Sequence, residues 1–306
     1  MEIEKKKHVY DLRGVVPGAT RIAFGTFDGM HIGHQAVIRK LYGYEGQTPV
    51  VVSFSDEVTP VVYTESEKEY LLKDKNVEVM VSLSSALVNS LTAEEFVRKI
   101  LITKLQMKSV VVGENARFGS DKKNVQYLVE LGNELGFDVD VVPVVTYEGN
   151  PVSTEDVKQA IVDGDFDRAV ALLGHIYIME GTVVHGKAAG RKHGMPTANL
   201  GVAENKIFPP HGVYATVSRM EGTFFRGMTN IGLRPSDDDI PIATVETWLI
   251  NFSRDIYGKR IILEVYKYIR GVKKFSGGLD EVRKQIDYDV NEVKVYMDGL
   301  VAGMKK

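Results

Sequence analysis

The sequence predicts an α/β protein of two domains: an N-terminal doubly wound parallel sheet and a C-terminal small antiparallel β-barrel with a closing helix. The length of 306 residues exceeds what one small hydrophobic core usually organises. β-branched runs alternate with helical patterns in the first half, whereas strand follows strand in the second half. We therefore expect one domain over residues 1–172 and another over residues 173–306.

The first half contains five β-branched runs that are apolar on both faces, which is typical of strands in a covered parallel sheet. These predicted strands are residues 22–24, 50–54, 77–81, 109–113 and 139–145. Apolar residues at helical spacing predict helices between the strands. The predicted helices are residues 34–41, 93–105 and 125–135, followed by two short connector helices at residues 156–162 and 166–173.

The second half changes to short strands separated by Gly, Pro and Asp clusters, a pattern typical of a small antiparallel barrel. The predicted strands are residues 176–184, 212–220, 224–232, 244–252 and 260–269. After a Gly-Gly break, apolar residues follow one helical stripe from Leu279 to Met297. We expect this helix, residues 279–301, to pack on the barrel.

The composition excludes several classes of function. The 38 Lys and Arg residues do not exceed the 41 Asp and Glu residues, and the net charge of −3 disfavours binding of a polynucleotide. The absence of cysteine excludes disulfides, thiolate metal sites and cysteine nucleophiles. No apolar run reaches the roughly 18 residues of a membrane span, and the first residues lack the apolar core of a signal peptide. We expect a cytoplasmic protein that binds neither nucleic acid nor a membrane.

A candidate phosphate site directly follows the first predicted strand, in a Gly-Thr-Phe-Asp-Gly-Met-His-Ile-Gly-His segment. Glycines let the backbone approach an anion closely, and the N–H groups at a helix N-terminus point towards it. Two histidines three residues apart face one side of the first helical turn, where they suit phosphoryl oxygens. A metal site or an exposed pair is the alternative, but the preceding strand and glycines favour phosphate. The predicted residues are Gly25, Phe27, Asp28, Gly29 and Gly33 for binding, with His31 and His34 as catalytic residues.

A second glycine-rich segment, residues 181–188, nearly matches the phosphate-binding P-loop pattern. It ends on Ala188, which has no hydroxyl for Mg²⁺, and further glycines and a proline follow where the P-loop needs a helix, so a P-loop is excluded. The segment still suits a flexible cationic flap over phosphates, with a solvated barrel turn as the alternative. The residues assigned to nucleotide binding are Gly181, Gly186, Lys187, Gly190, Arg191, Gly194 and Pro196.

The residues after this flap offer hard oxygen ligands. Thr197 and Asn199 are two positions apart, so they face the same side of an extended chain and suit Mg²⁺ on nucleotide phosphates. Glu246 is flanked by apolar residues in a predicted strand and is a candidate base for phosphorylation of an alcohol. A glutamate that faces solvent from an edge strand is an equal alternative.

The segment at residues 25–34 resembles the nucleotidyltransferase superfamily with the HxGH signature, whose members transfer an adenylyl group from ATP. In that family the histidines bind the ATP phosphates. The chain also keeps most of a GENFxFG pattern at residues 113–119 and part of an ISSTxIR pattern at residues 152–158. The resemblance implies an HxGH nucleotidyltransferase fold for the first domain, and implies that Asn115, Ser153 and Thr154 bind ATP.

The C-terminal half looks like the riboflavin kinase family. The matching stretches are residues 181–200, 212–214, 230–236, 245–249 and 257–259. Joined to the HxGH domain, they make the whole chain similar to the prokaryotic bifunctional riboflavin kinase/FMN adenylyltransferase family. The resemblance implies that riboflavin receives the γ-phosphoryl group of ATP at its ribityl 5′-hydroxyl, with Thr197 and Asn199 holding Mg-ATP and Glu246 as base. FMN then receives an adenylyl group from ATP in the N-terminal domain.

Three departures from the family patterns fall in the adenylyltransferase half. Ala116 replaces an aromatic residue, residues 54–58 lack the prolines and histidine of a Phe-x-Pro-His-Pro pattern, and Glu155 and Asp156 add carboxylates. A carboxylate about 4 Å from a phosphate costs on the order of 1 to 4 kcal/mol. Two alternatives stay open: a riboflavin kinase with a degenerate adenylyltransferase domain, and a non-catalytic flavin-sensing protein. A pantetheine- or nicotinamide-type adenylyltransferase would leave the barrel unexplained.

Overall fold

The computed structural model describes residues 7–9, 18–55, 58–73, 75, 77, 79–185, 197–234, 242–273 and 279–303. The chain divides into two compact units: Met1–Val157 with Leu172–Gly174, and Lys158–Ala171 with His175–Lys306. Most of the predicted connector is thus grouped with the second unit. The domain limits 1–172 and 173–306 stay a prediction.

The first unit contains a six-stranded parallel sheet. Its strands are β1 (Lys7–Val9), β2 (Thr20–Gly25), β3 (Thr48–Ser55), β4 (Val79–Ser84), β5 (Met107–Gly113) and β6 (Asp138–Val142). They pair in the order β1-β4-β3-β2-β5-β6, and every pair is parallel. Successive residues of β2, Ile22 and Ala23, are both fully buried, as a sheet covered on both faces requires. The predicted doubly wound sheet is confirmed.

Helices connect these strands and supply the covering layers. In the described part of the chain the α-helices are α1 (Ile32–Arg39), α2 (Glu65–Lys73), α3 (Ser85–Asn89), α4 (Ala93–Glu95), α5 (Val125–Leu135), α6 (Thr154–Asp163), α7 (Phe166–Leu173) and α8 (Leu279–Gly303). On one face of the sheet, Phe96 and Leu128 pack in a single cluster with Ile22 and Val50. A short antiparallel hairpin, β7 (Thr146–Tyr147) and β8 (Asn150–Pro151), precedes α6.

The first unit differs from the prediction in several elements: β1, α2 and α3 were not predicted, and some predicted elements have other limits or another helix type. The helix predicted over residues 93–105 starts as α4 and continues as a π-helix, Phe96–Ile102. The N–H of Thr103 donates to the carbonyl of Arg98, five residues earlier, at 3.1 Å. The last strand was expected to reach residue 145, but β6 ends at Val142 because Pro143 has no N–H to continue the ladder.

The second unit contains the predicted antiparallel barrel, which is a closed ring of six strands. They are β9 (Tyr177–Val184), β10 (Thr197–Val202), β11 (Gly212–Met220), β12 (Thr223–Arg234), β13 (Ile242–Leu249) and β14 (Arg260–Gly271). The pairing order is β10-β13-β12-β11-β14-β9, and β9 pairs with β10 to close the ring. Strand β10, which contains Thr197 and Asn199, adds a sixth strand to the five predicted ones.

The closing helix packs on the barrel as expected. Val293 and Met297 of α8 contact Ala215 and Val217 of β11 in one buried cluster. A buried carboxylate on α8, Asp289, also accepts hydrogen bonds from Arg270 of β14. In the described part of the chain, no helix combines the length and the apolarity that crossing a membrane requires.

Candidate active sites

A cleft of about 360 Å³ opens in the first unit at the carboxyl ends of β2 and β5. From β2 the chain adds β3 and β4 on one side of the sheet, and it then crosses to the other side of β2 to add β5 and β6. The order of the strands therefore switches between β2 and β5. Such a switch point is where open parallel sheets bind ligands. Among the predicted site residues, the cleft is lined by Gly25, Phe27, His31, Gly33, His34 and Asn115.

The two histidines stand at the start of α1. Nδ1 of His31 accepts a hydrogen bond from the backbone N–H of His34 at 3.3 Å, so His31 caps the helix. Because Nδ1 is an acceptor, the proton of neutral His31 is on Nε2. The two rings stack with centroids 3.7 Å apart. A Cβ at Gly33 would lie 3.0 Å from Cε1 of His31, which explains the glycine between them.

Both histidines are neutral at pH 7. Burial lowers the pKa of His31 to about 4, partly opposed by the charge of Asp156. Burial also holds the pKa of His34 well below its ordinary value; the charge of Lys68, and that of His31 when it is protonated, act in the same direction. Within the described residues, Nδ1 of His34 is buried and has no hydrogen-bond partner. The pair therefore offers hydrogen-bonding nitrogens rather than positive charge.

The turn between β2 and α1 is held by Asp28, which does not line the cleft in the part of the chain that is described. Its carboxylate accepts the backbone N–H groups of Val62 and Tyr63 at 2.8 and 3.0 Å. Thr154 donates to the carbonyl of Asp28 at 3.0 Å. Gly29, in this turn, has a φ of +85°, which favours glycine. ATP binding by these three predicted residues stays a prediction.

The two added carboxylates have different environments. Ser153 precedes α6, and its hydroxyl both donates to the carboxylate of Asp156 and accepts the N–H of Asp156 at 3.2 Å. Such reciprocal bonds stabilise a helix N-terminus. Asp156 is thus engaged locally and close enough to raise the pKa of His31, whereas Glu155 is exposed. The energetic cost of these acids near a bound phosphate stays a prediction.

A buried ion pair next to the cleft, between Lys68 and Glu65, was not predicted from the sequence. Nζ of Lys68 on α2 donates to Glu65 at 2.7 Å, to the carbonyl of Thr26 at 2.7 Å and to Ser53 at 3.1 Å. Glu65 also accepts from Ser82 at 2.6 Å. Because Thr26 lines the cleft, this pair fixes the backbone of the glycine-rich turn. Charged residues on a helix usually face solvent, so the sequence carried no signal for it.

In the second unit, strand pairing brings the predicted kinase residues together. Glu246 of β13 lies directly opposite Asn199 of β10 and opposite Asn230 of β12. Directly opposed residues share a face of the sheet. Their neighbours Val245 and Thr247 are buried, whereas Glu246 is half-buried on the other face. None of Glu246, Asn199 and Asn230 makes a side-chain hydrogen bond with another described residue, so all three are free for a ligand.

Asn230 was not predicted as a site residue. It lies in the stretch at residues 230–236 that resembles riboflavin kinases, but only the register of β12 against β13 places it beside Glu246. A cleft of about 300 Å³ begins next to this face. Thr197 lines it together with Phe252, Arg254 and Tyr257.

Some predicted nucleotide-binding residues lie outside the described part of the chain. They are Gly186, Lys187, Gly190, Arg191, Gly194 and Pro196. Residues 56 and 57 of the eroded Phe-x-Pro-His-Pro pattern are outside it as well. Gly181 is described, and it lies within β9, where a Cβ would be 2.9 Å from Cβ of Leu200. Close packing of two strands is therefore enough to require this glycine.

Two family models match successive parts of the chain. The FAD synthetase model covers residues 16–156, and the riboflavin kinase model covers residues 173–297. The first match contains the histidine cleft, and the second contains the barrel with Glu246. Fold, sites and models together define a transferase with two catalytic units.

Curated relatives match nearly the whole chain. Bifunctional riboflavin kinase/FMN adenylyltransferases of Listeria monocytogenes and Bacillus subtilis are 32% and 31% identical, covering 90% and 91% of this chain and 91% and 93% of theirs. A crystal structure described as a macrolide-efflux protein from Streptococcus pneumoniae has a TM-score of 0.79 at 30% identity, over 94% of this chain and 98% of that one. The chain belongs to the family of bifunctional riboflavin kinase/FMN adenylyltransferases.

Proposed function

We propose that the barrel phosphorylates riboflavin and that the N-terminal unit adenylylates the resulting FMN to FAD, both with ATP. The observation that carries the kinase assignment is the row of Asn199, Glu246 and Asn230, which share one face of the sheet and make no side-chain hydrogen bond with another described residue. The cleft around the two neutral histidines carries the second assignment. Both family models match, so a degenerate first domain and a non-catalytic flavin sensor are not supported.

In the kinase reaction, the ribityl 5′-hydroxyl of riboflavin attacks the γ-phosphorus of ATP and ADP leaves. The carboxylate of Glu246 accepts the hydroxyl proton, which is the step where an alcohol nucleophile needs help. Thr197 and Asn199 supply oxygen ligands of the type that Mg²⁺ takes in proteins. Mg²⁺, when bound, neutralises charge on the transferred phosphoryl group. Asn230 of β12, opposite Glu246, can hydrogen-bond the substrate beside the base.

In the adenylylation reaction, a phosphate oxygen of FMN attacks the α-phosphorus of ATP and pyrophosphate leaves. The nucleophile is already ionised, so the protein positions it and stabilises charge without a dedicated base. Nε2–H of His31 donates to a phosphoryl oxygen, and His34 contributes a second ring nitrogen. Both rings are held in place at the start of α1 before substrate arrives. A requirement for ATP at both sites supports a cytoplasmic location.

The proposal is tested by incubating the protein with Mg-ATP and riboflavin, and separately with Mg-ATP and FMN, and resolving the flavins by chromatography. We expect FMN and FAD in the first incubation and FAD in the second. Absence of FMN from riboflavin would refute the kinase assignment. Absence of FAD from FMN would refute the adenylyltransferase assignment.

Single substitutions assign the two reactions to their units. Glu246→Gln should lower riboflavin phosphorylation by roughly 10²- to 10⁴-fold and leave FAD formation from FMN unchanged. Glu221→Gln is the matched control, because Glu221 is an exposed barrel residue paired with Lys259 at 2.6 Å. The double variant His31→Ala, His34→Ala should show the reverse pattern. Loss of both reactions in either variant without unfolding would contradict this division.

A further inference from the structure

The adenylyltransferase cleft contains a cation that none of the predicted roles uses. Arg117 lies in the loop after β5, two residues beyond Asn115, and its side chain is exposed. Within the described residues that line the cleft, it is the only lysine or arginine. The substrates of this cleft carry several negative charges, whereas its two histidines are neutral at pH 7.

The guanidinium of Arg117 is not committed to a carboxylate. Its one hydrogen bond in the described structure goes to the carbonyl of Ala116, the preceding residue, at 3.0 Å. Other arginines are used differently: Arg98 and Arg270 each bind a glutamate or aspartate side chain. Arg117 therefore keeps free N–H donors in the fork geometry that matches phosphate oxygens.

The two residues that follow Arg117, Phe118 and Gly119, hold its backbone in place. Phe118 is buried and packs on Phe24 with ring centroids 5.5 Å apart. Gly119 has a φ of +75°, and a Cβ there would lie 2.3 Å from the backbone nitrogen of Ala93. The loop thus presents Arg117 from a packed wall of the cleft, and such preorganisation lowers the cost of ordering the side chain on binding.

We propose that Arg117 binds phosphate oxygens of the anionic substrates in the adenylyltransferase cleft. The proposal rests on the proposed adenylylation and adds the positive charge that the histidines lack. Two substrates share this chemistry, the β- and γ-phosphates of ATP and the 5′-phosphate of FMN. The Ala116 substitution noted in the sequence leaves a small side chain next to Arg117.

The test compares Arg117→Ala and Arg117→Lys with the wild type and with Lys123→Ala. Lys123 is an exposed cation of the same loop that packs over Tyr127 and does not line the cleft. For each protein, kcat and KM for ATP and for FMN are measured in FAD formation, together with inhibition by pyrophosphate. Riboflavin phosphorylation by the same samples reports whether the chain is intact.

We expect Arg117→Ala to lower kcat/KM for FAD formation by roughly 10- to 100-fold, with partial recovery in Arg117→Lys. Riboflavin phosphorylation should not change, and Lys123→Ala should stay within about two-fold of wild type. A raised KM for ATP with weaker pyrophosphate inhibition assigns the contact to ATP, whereas a raised KM for FMN alone assigns it to FMN.

Equal FAD formation by Arg117→Ala and Lys123→Ala would overturn the inference. So would a loss of riboflavin phosphorylation as large as the loss of FAD formation, because the effect would then be on the whole chain. A wild-type protein that forms no FAD from FMN refutes the proposed function itself, which separates the two failures.

Discussion

Replacing Lys68 by methionine tests the buried ion pair next to the adenylyltransferase cleft. Methionine keeps an unbranched side chain but removes the charge and three hydrogen bonds, to Glu65, Ser53 and the Thr26 carbonyl. The side chain of Lys68 is 3% exposed and that of Glu65 is 16% exposed. The substitution therefore leaves the charge of Glu65 without its cation inside the protein, although Ser53 and Ser82 still donate to the carboxylate, and it removes the short hydrogen bond to the Thr26 carbonyl.

Removing one partner of a buried ion pair costs about 3–5 kcal/mol of unfolding free energy. The same helix contains a matched exposed pair, Lys73 with Glu69 at 3.5 Å, whose side chains are 47% and 30% exposed. Lys73→Met should cost no more than about 0.5 kcal/mol. Adding Glu65→Gln to Lys68→Met should recover part of the loss, because the stranded charge is then removed.

The assay is urea unfolding of the full chain followed by circular dichroism, with riboflavin phosphorylation as a reporter of the second unit. We expect Lys68→Met to shift the transition of the first unit, to reduce FAD formation through the displaced Thr26 backbone, and to spare phosphorylation of riboflavin. Equal stabilities of Lys68→Met and Lys73→Met would refute the reasoning, as would a double variant with Glu65→Gln that is less stable than Lys68→Met alone.

Three further predictions follow from the same structure. Gly119→Ala should reduce FAD formation, and it should lower the unfolding free energy by more than the roughly 1 kcal/mol expected of Gly136→Ala. Both glycines have φ near +74°, but only Gly119 lacks space for a Cβ, and thermal melts compare the two variants. Because burial lowers the pKa of His31 from 6.5 to about 4, the contribution of His31 to the unfolding free energy should be nearly constant above pH 6.5 and about 3 kcal/mol smaller at pH 4; the difference between urea titrations of wild type and His31→Gln measures this contribution. Asp289→Ala should lower stability by about 3–5 kcal/mol, since it strands Arg270 under the closing helix; melts followed by riboflavin phosphorylation report the second unit.

The sequence predicted elements whose limits are set by local signals. Helix α5 has the predicted limits, residues 125–135, because Asn124 caps its first turn and Gly136 takes the left-handed conformation that ends it. The π-helix could not be predicted, since one extra residue in a turn scarcely alters an apolar pattern with a period near 3.6.

In the candidate sites, too, only features set by local sequence could be predicted. The two histidines are three residues apart, so the sequence predicted that they face one side of the first helical turn, but it did not predict that their rings stack. The partnership of Glu246 with Asn230 depends on pairing between β12 and β13, and that of Lys68 with Thr26 depends on packing of α2 against the sheet. Contacts between residues far apart in the chain produce no periodic pattern in the sequence. The sequence therefore identified several site residues but not the residues that they contact in the fold.

The barrel is closed whereas the parallel sheet has open edges, and the two sheets therefore differ in how readily they could pair with another chain. The barrel is a closed ring, so its described strands present no unpaired edge to another chain. The parallel sheet is open and has β1 and β6 as its edge strands; the β6 edge carries Asp138 and Asp140, and Asp140 pairs with Arg21. Two copies aligned along β6 would bring like charges together. These carboxylates disfavour edge-to-edge pairing of two copies, while Val139 and the buried Val142 hold the strand in the sheet.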